Sequence, residues 1–212
     1  MPNNADILIV VAHPDDESLW FGEGIHQLVA RGKNIIVLCL SGGSNPIRSA
    51  EFKKACLRLK VKGKMLNNPD RGMPRLQTSP SDLDLVDWHP EYVITHAPWG
   101  NERHHPHHQQ CFQISRSWAL KGGIPFGYFS EKKPLILNPL IETIEFSVNR
   151  PRKNALLSIY DSEISGLRDY EAYHHDKEYL IIERKYFSRI SKIFTRLCQT
   201  LSSIFESRGP RT

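Results

Sequence analysis

The sequence predicts an α/β protein: a mostly parallel sheet with helices on both of its faces. Three observations carry that prediction. Ile7–Ala12 and Asn34–Leu40 are apolar almost throughout, as strands covered on both faces are. Segments with three-four apolar spacing follow these runs. A His-Pro pair stands at two strand-to-helix junctions, His13-Pro14 and His105-Pro106.

Strand one is Asp6–Ala12. Glu17–Arg31 follows as a helix with Leu19, Trp20, Ile25, Leu28 and Val29 inward and Gly32 as its stop. Asn34–Leu40 is the second strand. The loop Ser41-Gly42-Gly43-Ser44-Asn45-Pro46 exposes backbone N–H groups, yet it is neither a dinucleotide fingerprint nor a Walker loop. Arg48–Leu59 is the second helix, and Val61–Leu66 a short third strand. Residues 67–88 are irregular, with a short helix around Ser81–Trp88. Glu91–Ala97 is the fourth strand, and a helix runs from the histidine cluster through Trp118. Ile136–Asn138 and Glu142–Val148 read as edge strands, Lys153–Tyr170 as an amphipathic helix and Glu178–Ile182 as a last strand.

Length and composition set bounds on function. At 212 residues the chain fits one domain with a sizeable core. No 18-residue apolar run suggests a membrane span, and the first residues lack the pattern of a signal peptide. Cys39, Cys56, Cys111 and Cys198 have no C-x-x-C spacing, which argues against a cysteine-zinc site and for a cytoplasmic setting. The net charge of +5 is uneven: Arg184–Thr212 holds seven basic residues and one acid, so the tail sums to +6 and the rest to about −1. The organisation expected is a domain over residues 1–185 and a basic amphipathic helix and tail over 186–212. That helix could dock on its own domain, on a partner or at the inner membrane surface. No nucleic-acid partner is indicated, and the oligomeric state is not legible.

The chemistry concentrates at His13-Pro14-Asp15-Asp16-Glu17 and at His104-His105-Pro106-His107-His108. Pro14 is expected at the first helical position, with the acids in a first turn that favours negative charge. His13 and Asp16, three apart, can share a divalent ion, while Asp15 is free to handle a proton. Strand ends in a doubly wound sheet are where ligands bind. His13, Asp16 and His108 would then leave coordination positions open for water, as in a catalytic zinc site. Asp15 becomes a general base, and His105 stabilises an oxyanion or protonates a leaving amine. The bland readings are that the acids merely cap a helix and that one of His104 and His107 is a surface accident. Zinc is the expected ion, Fe2+ or another divalent ion the alternative. A non-haem iron oxygenase also uses two histidines and a carboxylate. A nonenzymatic sugar- or nucleotide-binding module is a further alternative.

Ala12–Glu17 reads A-H-P-D-D-E, and a later strand is followed by His105-Pro106-His107-His108. On these motifs the chain resembles the PIG-L/LmbE-like N-acetyl-sugar deacetylases. Arg48-x-x-Glu51-x-x-x-Ala55, Pro69-Asp70-Arg71-Gly72 and Tyr160-Asp161-Ser162-Glu163 are weaker echoes, and the likeness spans roughly residues 6–185. The resemblance implies a Rossmann-like fold and a zinc-dependent hydrolase that removes an N-acetyl group from an N-acetylhexosamine-type sugar, glycoconjugate or glycolipid. By position, His13, Asp16 and His108 look like the metal ligands, Asp15 and His105 like the catalytic pair, and Arg48 and Asp70 like sugar contacts. His107 stands where the family has Asp. An imidazole cannot supply that negative charge, so the pKa of His105 is expected to be lower than in the usual arrangement.

Overall fold

A computed structural model describes residues 5–70, 75–85, 89–133 and 141–183. The chain order is β1 (Ile7–Val11), α1 (Asp16–Ala30), β2 (Ile35–Ser41), α2 (Pro46–Leu59), β3 (Lys62–Asn68), a 3-10 turn at Pro80–Leu85, β4 (Tyr92–Thr95), α3 (Pro106–Lys121), β5 (Phe126–Ser130), β6 (Ile141–Ser147), α4 (Arg150–Leu157), two short helices α5 (Ile164–Leu167) and α6 (Glu171–His174), and β7 (Lys177–Glu183). The seven strands form one sheet in the order β3-β2-β1-β4-β5-β7-β6. Its first five strands are parallel; β7 and β6 add antiparallel pairings at one side. This is the Rossmann-like α/β arrangement, and its strand order reverses between β1 and β4.

Period two in β1 divides the core. Ile7, Ile9 and Val11 face a cluster with Leu19 and Ile25 of α1, Phe52 of α2 and Leu156 of α4. Leu8, Val10 and Ala12 face the other layer, with Cys111, Ile114 and Trp118 of α3. Each such buried aliphatic side chain contributes roughly 1.5–3 kcal/mol. Burial on both faces fixes the strand's register, because a one-residue slip would exchange the two layers.

Three expectations need correction. Helix α1 starts at Asp16, not at Pro14, and Asp15 is its N-cap residue at φ 127°. The helix is also kinked at Phe21, where Glu178 Oε2 accepts the Gly24 N–H at 2.9 Å in place of a helical carbonyl. The single helix expected over Lys153–Tyr170 is three pieces. Helix α4 stops at Leu157 because the next turn leaves the helix path: Tyr160 reaches Glu17, and Ser162 binds Glu51 through its N–H and its Oγ. Strand β5 was not expected. Gly127, its second residue, dilutes the pattern, yet a Cβ there would come within 2.6 Å of Ile181 O, so only glycine lets β7 pair closely. The last strand, β7, lies between β5 and β6, and β6 is the edge strand that Glu142–Val148 was expected to be.

Among the described residues no helix is long and apolar enough to cross a membrane. Cys39, Cys56 and Cys111 are buried free thiols. The expected strand at Ile136–Asn138 and the expected basic helix over 186–212 lie outside the described residues.

Candidate metal centre

The ends of β1 and β4 bring the two His-Pro stretches together at the reversal of strand order, where open α/β sheets bind ligands. Around them lies a cavity of about 240 Å³, lined by His13, Asp15, Asp16, His105 and His108, with Arg48, Asp70, Arg103 and Tyr170 in its wall.

Three donor atoms converge there. His13 Nδ1 is 3.4 Å from Asp16 Oδ2. His108 Nε2 is 3.3 Å from Asp16 Oδ1 and 3.3 Å from His13 Nδ1. Ligand atoms around a tetrahedral zinc at ~2.0–2.2 Å are separated by about 3.3–3.6 Å, so the spacing suits a shared ion. The hydrogen bonds behind the atoms decide the matter further. Asn101 Nδ2 donates to Glu131 Oε2 at 3.3 Å, which sets the amide's orientation. Its Oδ1 then faces His108 Nδ1 at 3.2 Å and His96 Nδ1 at 2.9 Å. Both rings therefore carry their hydrogen on Nδ1, and His108 Nε2 presents a lone pair. On the other ring, His13 Nε2 lies 2.9 Å from His107 Nδ1. With the hydrogen of that bond on His13, its Nδ1 presents a lone pair too. Two lone pairs and a carboxylate crowded at 3.3–3.4 Å repel one another unless a cation sits between them. The donor set thus fits a divalent ion.

Asp16 is built for that place. The His13 N–H donates to Oδ2 at 2.7 Å and Trp20 Nε1 to Oδ1 at 3.2 Å. Burial pushes its pKa up, but the His108 and His96 imidazoles hold it well below the usual carboxylate range. Burial depresses His108 to about 3, with the His96 and His13 imidazoles adding to the effect and the Asp16 carboxylate opposing it. For His13, burial acts downward and the Asp16 carboxylate, joined by Asp70 and Asp15, more than offsets it, so its pKa is raised.

Asp15 stands beside this trio with its backbone at φ 127°, a region that costs a non-glycine residue about 1–3 kcal/mol. Its carbonyl accepts the Ser18 and Leu19 N–H groups, both at 2.9 Å. Its carboxylate takes Arg48 Nη2 at 2.7 Å. Desolvation and the Asp16 charge push its pKa well up, with Arg48 opposing. Gly42, at φ 78°, backs this turn; a Cβ there would lie 2.7 Å from Pro14 Cγ. Arg48 is itself buried and its guanidinium is engaged: Nε donates to Asp70 at 2.9 Å, and Nη2 also reaches the Pro14 carbonyl. Asp70 further accepts from Ser41 Oγ at 3.2 Å. Both residues line the cavity, and their contacts hold Asp15 in place.

Pro106 opens α3 with His105 as N-cap, as the spacing suggests. His105 Nδ1 accepts the His107 N–H at 3.2 Å, so the ring's hydrogen sits on Nε2. Burial, the His13 charge and, further down, His107 lower its pKa to about 4, the direction expected from the departure at 107. His104 is exposed, with Nδ1 3.0 Å from Trp99 O. His107 is no surface accident: it is buried against His13. His13, His105 and His107 also lie close enough to share an ion. Their nitrogens are already committed, however, His105 Nδ1 to the helix N–H and His107 Nδ1 to His13.

Sequence reasoning missed His96, Asn101 and the Glu17–Tyr160 bond. His96 directly follows β4, while His13 stands two residues beyond β1; the sequence reading placed His96 inside its fourth strand, Glu91–Ala97, and so passed over it. It stacks on His108 with ring centroids 3.9 Å apart and Nε2 3.2 Å from Asp16. Asn101 has φ 61°, which asparagine tolerates better than most residues, but nothing in a lone Asn marks it. Glu17 is fully buried, accepting from Tyr160 at 2.6 Å and from Ser18 Oγ.

Residues 8–119, more than half of the chain, match the PIG-L family, described as GlcNAc-PI de-N-acetylase. The chain belongs to the PIG-L family. No curated protein sequence matches it significantly. Solved structures share its fold. The teicoplanin deacetylase Orf2 in its zinc-inhibited form is 18% identical, with a TM-score of 0.59 over 84% of this chain and 98% of that one. The A40926 pseudoaglycone deacetylase Dbv21 is 17% identical, with a TM-score of 0.61 over 86% and 98%. GalB, the 4-carboxy-2-hydroxymuconate hydratase of Pseudomonas putida KT2440, is 15% identical, with a TM-score of 0.58 over 97% and 91%. The PIG-L fold thus carries more than one chemistry, and function has to be argued from the site.

Proposed function

We propose that this PIG-L family member is a zinc-dependent N-deacetylase, a hydrolase that removes an N-acetyl group from an N-acetylhexosamine-containing sugar, glycoconjugate or glycolipid. The observation that carries the reading is the meeting of three lone-pair donors, from His13, Asp16 and His108, directly beside the Asp15 carboxylate. The deacetylases among the structures of this fold, and the zinc-inhibited form of one of them, support it.

His13, Asp16 and His108 would hold the ion. When bound, a divalent zinc lowers the pKa of water and polarises an amide carbonyl. The chain's own groups supply the rest. Asp15, whose raised pKa brings it nearer the working range of a base, takes the proton of the attacking water and passes it to the amine as the C–N bond breaks. His105 is neutral near pH 7 and donates through Nε2 to the carbonyl oxygen as negative charge develops there. Acetate and the free amine of the sugar are the products. Arg48 holds Asp15, and with Asp70 presents polar edges to sugar hydroxyls at the cavity wall. The oxygenase and the nonenzymatic module are not favoured by membership of a de-N-acetylase family.

Acetate release from a panel of N-acetylhexosamine glycans and glycolipids tests the reading. Release should stop on metal stripping, return with zinc and be abolished in Asp15→Ala. Release at full rate by Asp15→Ala would overturn it.

A further inference from the structure

Between Glu51 and Asp70 the chain carries six basic residues and no acid. Lys53, Lys54, Arg58 and Lys60 are exposed on α2 and at its C-cap. The two large hydrophobic residues that stand exposed among the described residues, Ile47 (61%) and Leu57 (77%), lie on this same helix. At 1.5 Å per residue they are about 15 Å apart along its axis, with the lysines between them. Beside the helix's C-terminal end a further cavity of about 220 Å³ has Arg58, Lys60, Arg152 and His26 at its rim and Leu59 and Leu156 in its wall. Of the acids around the helix, Glu51 is bonded to Ser162 and Glu23 lies 3.7 Å from Arg152, while Glu163 stands with Ile47 at the N-terminal end, away from the lysines.

The other end of the stripe is the active site. Ile47 lines a cavity it shares with Arg48 and Asp70, the residues that wall the metal centre. We infer that the outer face of α2 docks on an anionic phospholipid surface, with Leu57 and Ile47 entering the headgroup layer, so that the cavity mouth opens beside the bilayer. Interfacial helices of this kind combine cations with protruding apolar side chains. Charge selects the occupant. The segment 184–212 carries +6, and a second copy of α2 is equally basic, so both are repelled. A nucleic acid would be met by cations interleaved with aromatic or amide side chains; here bare aliphatic groups project instead. The inference rests on the proposed hydrolase and deepens it by naming the face of the chain that meets the lipid surface.

Co-sedimentation of the full chain with phosphatidylcholine vesicles, with and without phosphatidylserine, tests it. A variant with its tail cations at 184, 185, 189, 192 and 196 changed to Gln separates the tail from α2. Binding is expected only to the phosphatidylserine vesicles and to weaken with salt. Lys53→Glu/Lys54→Glu/Arg58→Glu should weaken it at least tenfold in both backgrounds, and Leu57→Ser severalfold. Acetate release from a soluble N-acetylhexosamine should be unchanged in these α2 variants, which keeps this test apart from that of the hydrolase. Retained vesicle binding by the triple variant would overturn the inference. So would an RNA oligomer bound more tightly than phosphatidylserine vesicles, or a Leu57→Ser protein that binds as well as the unaltered chain.

Discussion

Asn101→Ala is a demanding perturbation because the residue touches no substrate. Its Oδ1 accepts from His96 at 2.9 Å and from His108 at 3.2 Å, and its Nδ2 donates to Glu131 at 3.3 Å. Truncation leaves two buried imidazole N–H groups without a partner. Each unsatisfied buried group costs about 1–3 kcal/mol, so a stability loss of roughly 2–4 kcal/mol is expected after partial relaxation. The larger consequence is for the metal. Without the acceptor, the hydrogen of His108 is no longer held on Nδ1, and Nε2 loses its fixed lone pair. Removing such an outer partner typically weakens metal binding ~10–100-fold. Zinc Kd measured by competition with a chromophoric chelator, on protein shown folded by circular dichroism, reads this directly. Asn101→Asp keeps an acceptor in the same place and should recover most of the affinity. A folded Asn101→Ala protein that binds zinc as tightly as the unaltered chain would refute the reasoning.

Other consequences are as specific. His107→Asp replaces a group that lowers the pKa of His105 with one that raises it, so the titration of His105, followed by NMR in the metal-free protein, should move up from about 4. An unmoved titration would contradict the assigned cause. His105 is protonated in the unfolded chain below pH ~6.5 but in the folded chain only near pH 4. The unfolded state binds more protons in that window, so this residue's contribution to stability is present above pH ~6.5 and is lost as pH falls toward 4. Urea denaturation of the metal-free protein should show a shallower rise of stability between pH 4 and 6.5 in His105→Asn than in the unaltered chain. Tyr160→Phe removes a 2.6 Å donor from the fully buried Glu17 and should lower stability by about 1–3 kcal/mol in thermal or urea melts.

The central sheet was legible because β1 and β2 are covered on both faces, and such strands read as unbroken apolar runs. Strand β5 was not, since Gly127 is chosen for the close approach of β7, a contact from 54 residues away in sequence. The break after Leu157 was hidden for the same reason: Ile164 and Leu167 keep helical spacing, while Glu17 and Glu51 draw Tyr160 and Ser162 off the helix path. At the site, the residues with their own chemistry announced themselves by type and spacing. The apparatus behind them did not. His107 looked expendable because its partner, His13, is 94 positions away. Asn101 acts only through other side chains, and no pattern in the chain records that.

The account stands or falls on one ion shared by His13, Asp16 and His108. The most direct measurement is a crystal structure at zinc saturation, with anomalous scattering to locate the metal. A single strong peak is predicted, about 2.0–2.2 Å from His13 Nδ1, His108 Nε2 and an Asp16 oxygen, and within reach of Asp15. No peak there, or a zinc held by His105 and His107 with Asp16 left outside its shell, would contradict it.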